Sequence, residues 1–372
     1  MKPAEPAEAT DPTTIPDRLV DSTDELTPEW LTATLRANAV INEHAAVATA
    51  HSAVIGTGQL GFVARTMLTY SAGTGPSSVI AKLPSTDPGS RAMGAAMGVY
   101  EAEVRFYRDI APSIRARVPA LYAAGLDRAS GRFTLLLEDL SSTMDAGDMV
   151  RGGTPDQAAL AIAELVPLQA PVWNAPAVTR PAWLGVDRTQ MLFDHVEQSV
   201  EPFLQRFGER IGDDHIRLIE RLAPKAGTVT GLVWQSPFVV CHGDYRLDNM
   251  MFGRHDTASP IAVIDWQGAR IGPPLLDAAI YLSSCLPPEQ RRAVERDLLR
   301  EYHTRLVAAG VCGFDLEDCW RSYRASSLYP FLLSIAVSVT IARTERGDDM
   351  WTRMFLGAAD LVTMTEADHL LG

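Results

Sequence analysis

The chain has 372 residues, 47% of them hydrophobic, and a formal net charge of −13. That length allows two domains with separate cores, and the acidic balance argues against a nucleic-acid-binding surface or one that attracts anionic lipids. Cys241, Cys285, Cys312 and Cys319 lack C-x-x-C spacing, so we expect reduced thiols and neither zinc nor disulfides.

The N-terminal segment, residues 1–24, is rich in Pro, Thr, Ala and Glu and is predicted to be a mobile tail. It has no apolar signal core, so we expect a cytoplasmic protein. Thr27 followed by Pro28 predicts the start of a helix, because proline is favoured at the first helical position. Ordered structure is therefore expected from about residue 25.

A glycine-rich pattern follows at residues 56–63, with the spacing G-x-G-x-x-G-x-V. Kinase phosphate loops and the dinucleotide-binding fingerprint share G-x-G-x-x-G. Here β-forming residues 62–70, a break at 71–76 and a second apolar run at 79–82 predict strand, turn and strand. A dinucleotide site needs a helix directly after the glycines, so the kinase loop is favoured. The three glycines lack a Cβ and would let the backbone approach phosphate oxygens closely. They are Gly56, Gly58 and Gly61.

Lys82 ends an apolar strand, where a buried ammonium group needs a counter-charge. Residues 89–110 are predicted to form the next helix. Glu103 lies on the apolar face of this helix, whereas Glu101 lies on the expected wet face. Glu103 is therefore the predicted partner of Lys82. The simpler interpretations are a lysine that extends into solvent and an ordinary surface glutamate.

The most informative stretch is 239–252, followed by 261–267. His242-Gly243-Asp244 follows an apolar run. Asn249 lies five positions after Asp244, and the next apolar run ends at Asp265. Phosphoryl transfer needs such a set: one carboxylate to accept a hydroxyl proton, and an amide with a second carboxylate to hold Mg²⁺. The order matches the kinase pattern H-R-D-x-x-x-x-N followed by D-F-G. Taken singly, each residue could simply cap a turn.

These motifs, together with Leu137-Glu138-Asp139-Leu140 and residues 100–107, resemble the aminoglycoside phosphotransferase and choline kinase superfamily. Within it, they most resemble the ecdysteroid kinase-like (CHK kinase-like) branch, over about residues 56–281. The resemblance implies an α+β, two-lobed protein-kinase-like fold. A small β-rich N-lobe with one main helix would span residues 25–140, and a larger, mostly helical C-lobe would span 141–372.

The resemblance also implies an ATP- and Mg²⁺-dependent small-molecule kinase. Asp244 would be the catalytic base, and Asn249 and Asp265 would hold the metal. Lys82 and Glu103 would position the α- and β-phosphates. Adenine would meet backbone groups at the hinge, at Glu138 and Leu140, unless the strand merely exits there.

Four residues around the predicted loop remain ambiguous. Arg246 lies two places after Asp244, where protein kinases commonly carry a phosphate-binding lysine; it is either a catalytic cation or a surface arginine. His242 is expected to brace the loop rather than to transfer protons. Asp277 would either accept hydrogen bonds from the loop backbone or cap its own helix. Asp248 is expected to face solvent or cap a turn.

The acceptor is expected to be an apolar or neutral alcohol. The apolar stretch 328–339 is too short to span a bilayer, and carboxylates for a cationic acceptor are scarce between Trp320 and Ala342. Aromatic residues of the helical region could wall a pocket or fill the core: Trp183, Trp320, Tyr323, Tyr329 and Phe331. A cationic aminoglycoside- or choline-type acceptor and a nucleotide-binding pseudokinase scaffold are the alternatives. We expect no nucleic-acid partner and no membrane insertion, and the oligomeric state stays open.

Overall fold

The computed structural model describes residues 15, 18–57, 60–179, 181–185, 187–254 and 258–372. The chain divides into two compact units. The N-terminal unit comprises Met1–Arg108 and Pro119–Leu140, and the C-terminal unit comprises Asp109–Val118 and Ser141–Gly372.

The N-terminal unit is built on an antiparallel sheet, which has five strands within the described residues, in the order β1-β2-β3-β5-β4. The strand, turn and strand predicted after the glycines are confirmed, with residues 63 and 82 paired across β2 and β3. The strands are β1 (Ala46–Thr57), β2 (Gly61–Ala72), β3 (Ser78–Pro84), β4 (Leu121–Asp127) and β5 (Arg132–Glu138).

Among the residues described in this unit, three α-helices accompany the sheet: α1 (Pro28–Ala37), α2 (Pro88–Ala96) and α3 (Val99–Arg105). The predicted start of α1 is confirmed, because the Thr27 side chain accepts a hydrogen bond from the Trp30 N–H. The helix expected over residues 89–110 is instead interrupted. Gly98, with φ of +67°, separates α2 from α3, because a left-handed residue cannot continue a right-handed helix.

Part of the predicted mobile tail is described, and it packs on the sheet. The backbone N–H and C=O of Val20 both bond to the Thr134 hydroxyl, at 2.9 and 3.0 Å. Val20 is fully buried. Residues 1–14, 16 and 17 lie outside the described residues.

The C-terminal unit is mostly helical, with short strands between its helices. A sheet of order β6-β8-β9 and a β7–β10 pair carry the predicted catalytic stretch. The strands are β6 (Met144–Ala146), β7 (Val239–Cys241), β8 (Met250–Gly253), β9 (Ile261–Val263) and β10 (Arg270–Gly272). The helices are α4 (Pro155–Gln169), α5 (Pro176–Thr179), α6 (Asp187–Phe193), α7 (Val196–Phe207), α8 (Asp213–Leu222), α9 (Val229–Val233), α10 (Leu276–Cys285), α11 (Pro288–Ala308), α12 (Leu316–Ser326), α13 (Leu328–Ser338) and α14 (Glu345–Met364).

Helices α10 and α13 form the centre of this unit. Every residue of α10 is buried, as are nearly all residues of α13. Tyr323, Tyr329 and Phe331 are fully buried, so they are core residues, whereas Trp183 and Trp320 are half-buried. Helices α12 and α13 follow one another directly and are joined at Ser327.

The predicted α+β, protein-kinase-like fold is confirmed, with a β-sheet N-terminal unit and a helical C-terminal unit. Across the described residues, the structure has no helix that is both long and apolar enough to cross a membrane.

Candidate active site

The His-Gly-Asp loop leaves β7, whose residues are all buried. Asn249 Nδ2 donates to the Asp244 backbone oxygen at 2.8 Å and to Asp244 Oδ2 at 2.9 Å. Arg246 Nε donates to both carboxylate oxygens of Asp244, at 2.9 and 3.0 Å. The loop therefore holds the Asp244 side chain from two sides, while its carboxylate stays partly exposed.

Asp265 is brought close to Asn249 by strand pairing. Met250 pairs with Val263 across β8 and β9, and the Ile264 N–H donates to the Asn249 carbonyl at 3.0 Å. Asp265 adopts φ of +65°. A left-handed backbone is costly for a residue other than glycine and often marks a functional site.

The chemistry of this pair fits Mg²⁺. Both side-chain hydrogen bonds of Asn249 are donated by its amide nitrogen. Among the described residues, no donor contacts its amide oxygen, Oδ1. No group of three or more His, Cys, Asp and Glu side chains within the described ranges could hold a metal ion by itself. Mg²⁺ typically takes one or two protein oxygen ligands and completes its shell with phosphate and water. Asn249 and Asp265 would be such ligands.

His242 and Asp277 brace this loop from beneath. His242 is fully buried; its Nε2 donates to the Ile264 carbonyl at 2.9 Å, and its Nδ1 accepts from the Asp244 N–H at 3.2 Å. Both ring nitrogens are therefore occupied, which agrees with the expected bracing role. Asp277 accepts the backbone N–H groups of His242 and Gly243, at 2.7 and 2.9 Å. Leu275 takes the N-cap position of α10, so Asp277 braces the loop and does not cap the helix.

Burial raises the pKa of Asp277, although the nearby His242 and the two backbone donors oppose that rise. A buried carboxylate is tolerated when it is fully hydrogen-bonded. The hydrogen bonds therefore let Asp277 tie the loop to the buried helix α10.

Gly243 is required by the shape of the loop. Its φ is +78°, and an added Cβ would lie 2.5 Å from both the Gly268 carbonyl oxygen and Arg270 Nε. Any other residue would strain the backbone and displace the neighbouring chain.

Arg246 is held tightly. Its Nη1 donates to Asp248 Oδ2 at 2.6 Å, so the guanidinium group lies between two carboxylates. Asp248 is therefore an ion-pair partner and not a turn cap. Burial disfavours the charge of Arg246, but Asp244 and Asp248 outweigh this and raise its pKa. Within the described chain, no acceptor contacts Arg246 Nη2, so this nitrogen is available to a ligand.

In the N-terminal unit, Lys82 and Glu103 form the predicted ion pair. The Nζ to Oε1 distance is 2.6 Å, and the two residues are only 6% and 0% exposed. Glu101 instead pairs with Arg105 and Arg128 at the surface, as its side of the helix predicts. The role of the pair in positioning phosphates stays a prediction.

In the glycine-rich segment, Gly56 lies near the end of β1 and Gly61 begins β2, whereas Gly58 lies outside the described residues. A Cβ on Gly61 would lie 2.7 Å from the Leu83 carbonyl oxygen, so Gly61 is needed for close approach to β3. Gly56 has room for a Cβ. Tyr100 of α3 donates to the Leu60 carbonyl and stacks on Phe133, which anchors the residue that precedes β2.

The predicted hinge follows β5. Glu138 pairs with Val79 of β3, and its side chain accepts from the Ala120 N–H at 3.0 Å, while Leu140 is buried. Between them, Asp139 accepts from Arg65 Nε at 2.9 Å and from the Ser78 hydroxyl at 2.7 Å. Asp139 thus ties the hinge backbone to β2 and β3, a role that the sequence motif alone did not reveal.

Sequence reasoning missed Arg270 and predicted Tyr329 only as a pocket-wall or core residue. Arg270 Nη1 donates to Thr189 Oγ1 at 2.8 Å and to the Tyr329 hydroxyl at 2.6 Å. The Tyr329 hydroxyl in turn donates to the Gly243 carbonyl at 3.4 Å. These contacts join distant helices to the loop, so no local sequence signal could have identified them.

Fold and site together define a phosphotransferase, and comparison with known proteins places the chain among them. Residues 66–314 match the phosphotransferase enzyme family (APH). The match covers more than half of the chain, so the protein belongs to this family. The predicted superfamily is confirmed, while the ecdysteroid kinase-like branch stays a prediction. No curated protein matches the chain significantly.

Solved structures with a similar fold include a putative aminoglycoside phosphotransferase from Ralstonia eutropha, with 16% identity and a TM-score of 0.50, covering 90% of this chain and 97% of that one. A choline kinase from Cryptosporidium parvum has 10% identity and a TM-score of 0.49, with 93% of each chain covered. An ethanolamine kinase from Plasmodium vivax has 13% identity and a TM-score of 0.47, covering 91% of this chain and 86% of that one. The likeness to the first of these structures concerns the fold alone.

Proposed function

We propose that this phosphotransferase is an ATP- and Mg²⁺-dependent small-molecule kinase that transfers the γ-phosphate to a hydroxyl group. The observation that carries the proposal is the geometry around Asp244. Its carboxylate is partly exposed and is oriented by Asn249 and Arg246, on a loop whose backbone bonds to the buried Asp277. Such preorganisation is what a general base needs.

In the proposed reaction, Asp244 accepts the proton of the acceptor hydroxyl as its oxygen forms a bond to the γ-phosphorus. The bond between that phosphorus and the bridging oxygen to the β-phosphate breaks, and ADP leaves. Asn249 and Asp265 would hold Mg²⁺, which would neutralise charge on the phosphate oxygens. Arg246 Nη2 meets the transferring phosphoryl group.

The N-terminal unit supplies the nucleotide contacts in this proposal. Lys82, aligned by Glu103, binds the α- and β-phosphates, and the glycine-rich segment with Gly56, Gly58 and Gly61 would cover them. Glu138 and Leu140 offer backbone groups to adenine. Asp139, which lies between these two residues, supports this assignment. Its hydrogen bonds to Arg65 and Ser78 hold the hinge backbone in one conformation.

For the acceptor, we propose a neutral or mainly apolar alcohol. The aromatic residues expected to favour such an acceptor are mostly buried in the core. The proposal is supported instead by the pairing of carboxylates with arginines near the catalytic loop. Asp248 and Asp148 are both bonded to arginines. A polycationic acceptor needs several available carboxylates, since each desolvated cation requires a counter-charge. A cationic acceptor is therefore the second candidate.

An acceptor screen tests the proposal. Purified protein with Mg²⁺ and ATP would be incubated with sterols, hydroxy acids, amino alcohols and aminoglycosides, and phosphomonoesters would be detected alongside ADP. We expect product from a neutral alcohol. A higher kcat/KM for kanamycin-like compounds than for any neutral alcohol would contradict the acceptor class. ATP binding without transfer to any alcohol would favour a pseudokinase scaffold.

A further inference from the structure

Arg246 belongs to a chain of five alternating charges, all in the C-terminal unit. Asp244 bonds to Arg246, whose Nη1 bonds to Asp248 Oδ2. The other oxygen, Asp248 Oδ1, accepts from Arg346 Nη2 at 3.1 Å. The same nitrogen of Arg346 donates to Asp148 Oδ1, also at 3.1 Å. The chain therefore runs from the catalytic loop to α14 and then to the segment that precedes α4.

The far end of this chain is anchored by backbone. Asp148 Oδ1 also accepts from the N–H groups of Val150 and Arg151, at 3.0 and 3.3 Å. Arg346 lies in the first turn of α14, and Met350, one turn later, places its sulfur 3.3 Å from Arg246 Nη1. Two elements distant in sequence thus approach the side of Arg246 away from Asp244.

Charge balance explains what Arg346 contributes. Asp248 carries one negative charge and shares it between two guanidinium groups. Without Arg346, Arg246 would be the one cation paired with Asp248 among the described residues, and both oxygens of Asp248 would compete with Asp244 for that group. Arg246 would move toward Asp248, because a bidentate arginine–carboxylate pair is the stronger arrangement. Its Nε would leave Asp244, and its Nη2 would lose its orientation.

We propose that Asp248 and Arg346 are positioning residues that hold Arg246 for the transferring phosphoryl group, with Asp148 as their anchor. The inference rests on the proposed function, since it assigns Arg246 a contact with the phosphate. Arg346 acts through Asp248 and Arg246 and does not itself touch the nucleotide. Loss of Arg346 should therefore slow phosphoryl transfer and leave nucleotide binding unchanged.

The first measurement compares Arg346→Ala with wild type. We expect kcat to fall on the order of tenfold while KM for ATP stays within about twofold, because small displacements of a catalytic group cost rate rather than binding. Arg346→Lys keeps the charge but loses the second guanidinium nitrogen, Nη1, which lies 3.5 Å from Asp148 Oδ2, so it should recover only part of the rate. The matched control is Arg217→Ala, which removes an exposed arginine that pairs with Asp214 within α8. It should leave kcat unchanged.

The second measurement is a double-mutant cycle with Arg246→Ala. If Arg346 acts through Arg246, the double variant should have the kcat of Arg246→Ala alone. Multiplied losses, or a wild-type kcat in folded Arg346→Ala, would overturn the inference. Asp248→Asn, which removes the middle charge, gives the same test should Arg346→Ala not fold. Wild-type rates in both Asp244→Ala and Arg246→Ala would instead reject the proposed function itself.

Discussion

Lys82 and Glu103 form a buried ion pair in the N-terminal unit, and each charge depends on the other. Their side chains are almost fully buried and lie 2.6 Å apart. Removal of one partner of a buried pair leaves an uncompensated charge, which typically costs about 3–5 kcal/mol. The pair is thus a structural requirement of the N-terminal unit as well as the proposed phosphate contact.

Glu103→Gln should therefore lower the free energy of unfolding by about 3 kcal/mol and raise KM for ATP. Glu101→Gln is the matched control on the same helix. Its surface pairs with Arg105 and Arg128 should be worth at most about 1 kcal/mol. Denaturant unfolding and ATP kinetics on both variants would check this. Equal losses in the two variants would show that burial of the pair does not matter.

From the sequence, candidate site residues could be selected more readily than the partners of each side chain could be predicted. Asp244, Asn249 and Asp265 could be selected because their spacing matches one chemistry, and Glu103 because helical periodicity placed it on the apolar face. The partners of Asp248 could not be predicted. Arg346 lies 98 positions from Asp248 and 198 from Asp148, and only the tertiary fold brings them together.

Among the elements, the His-Gly-Asp loop is the most constrained. It is tied to α10 through Asp277 and to the Ile264 carbonyl through His242, and it passes Gly268 with no space for a side chain at Gly243. These constraints act together on the position of Asp244. A small change in the loop should therefore affect catalysis more than it affects stability.

Gly243→Ala tests this. The positive φ alone should cost about 1–2 kcal/mol, and the clash with the Gly268 carbonyl should displace Asp244 and lower kcat on the order of 100-fold. Gly208→Ala is the control, because Gly208 has helical φ and ψ and an added Cβ would meet nothing within 4 Å. That variant should be neutral or slightly more stable. Wild-type kcat in Gly243→Ala would contradict the described loop geometry.

Sequence patterns predicted the helices with clear caps and missed the breaks. Thr27 and Pro28 mark the start of α1, where the Thr27 side chain accepts a hydrogen bond from the Trp30 N–H. The interruption at Gly98 was not predicted, because an isolated glycine inside an apolar helical pattern is compatible with either outcome. Likewise, nothing local distinguishes an aromatic residue of the core, such as Tyr323, from one that lines a pocket.

For the whole molecule, Glu164 should make stability depend on pH near neutrality. Burial raises its pKa to about 7, although the Arg117 N–H, 2.5 Å from its carboxylate, opposes the rise. The folded-state pKa exceeds the ordinary value, so this group's stabilising contribution is present below about pH 4.5 and is lost as pH rises through about 7. At about 1.4 kcal/mol per pKa unit, the change is at most about 3.5 kcal/mol.

Glu164→Gln should remove this dependence. Between about pH 5 and pH 8, the free energy of unfolding should fall more for wild type than for the variant, as measured by denaturant unfolding at each pH. Glu220→Gln, an exposed glutamate of α8, is the control and should follow wild type. Parallel pH curves for wild type and Glu164→Gln would show that Glu164 does not titrate in this range.

The central claim is that Asp244 is the base of a Mg²⁺-dependent phosphoryl transfer from ATP to an alcohol. The most direct measurement follows phosphomonoester formation by wild type and Asp244→Ala, with ATP affinity measured for both. We expect equal ATP binding and a loss of transfer on the order of 100-fold to 10,000-fold in the variant. Transfer by Asp244→Ala at a rate comparable to that of wild type would contradict the claim.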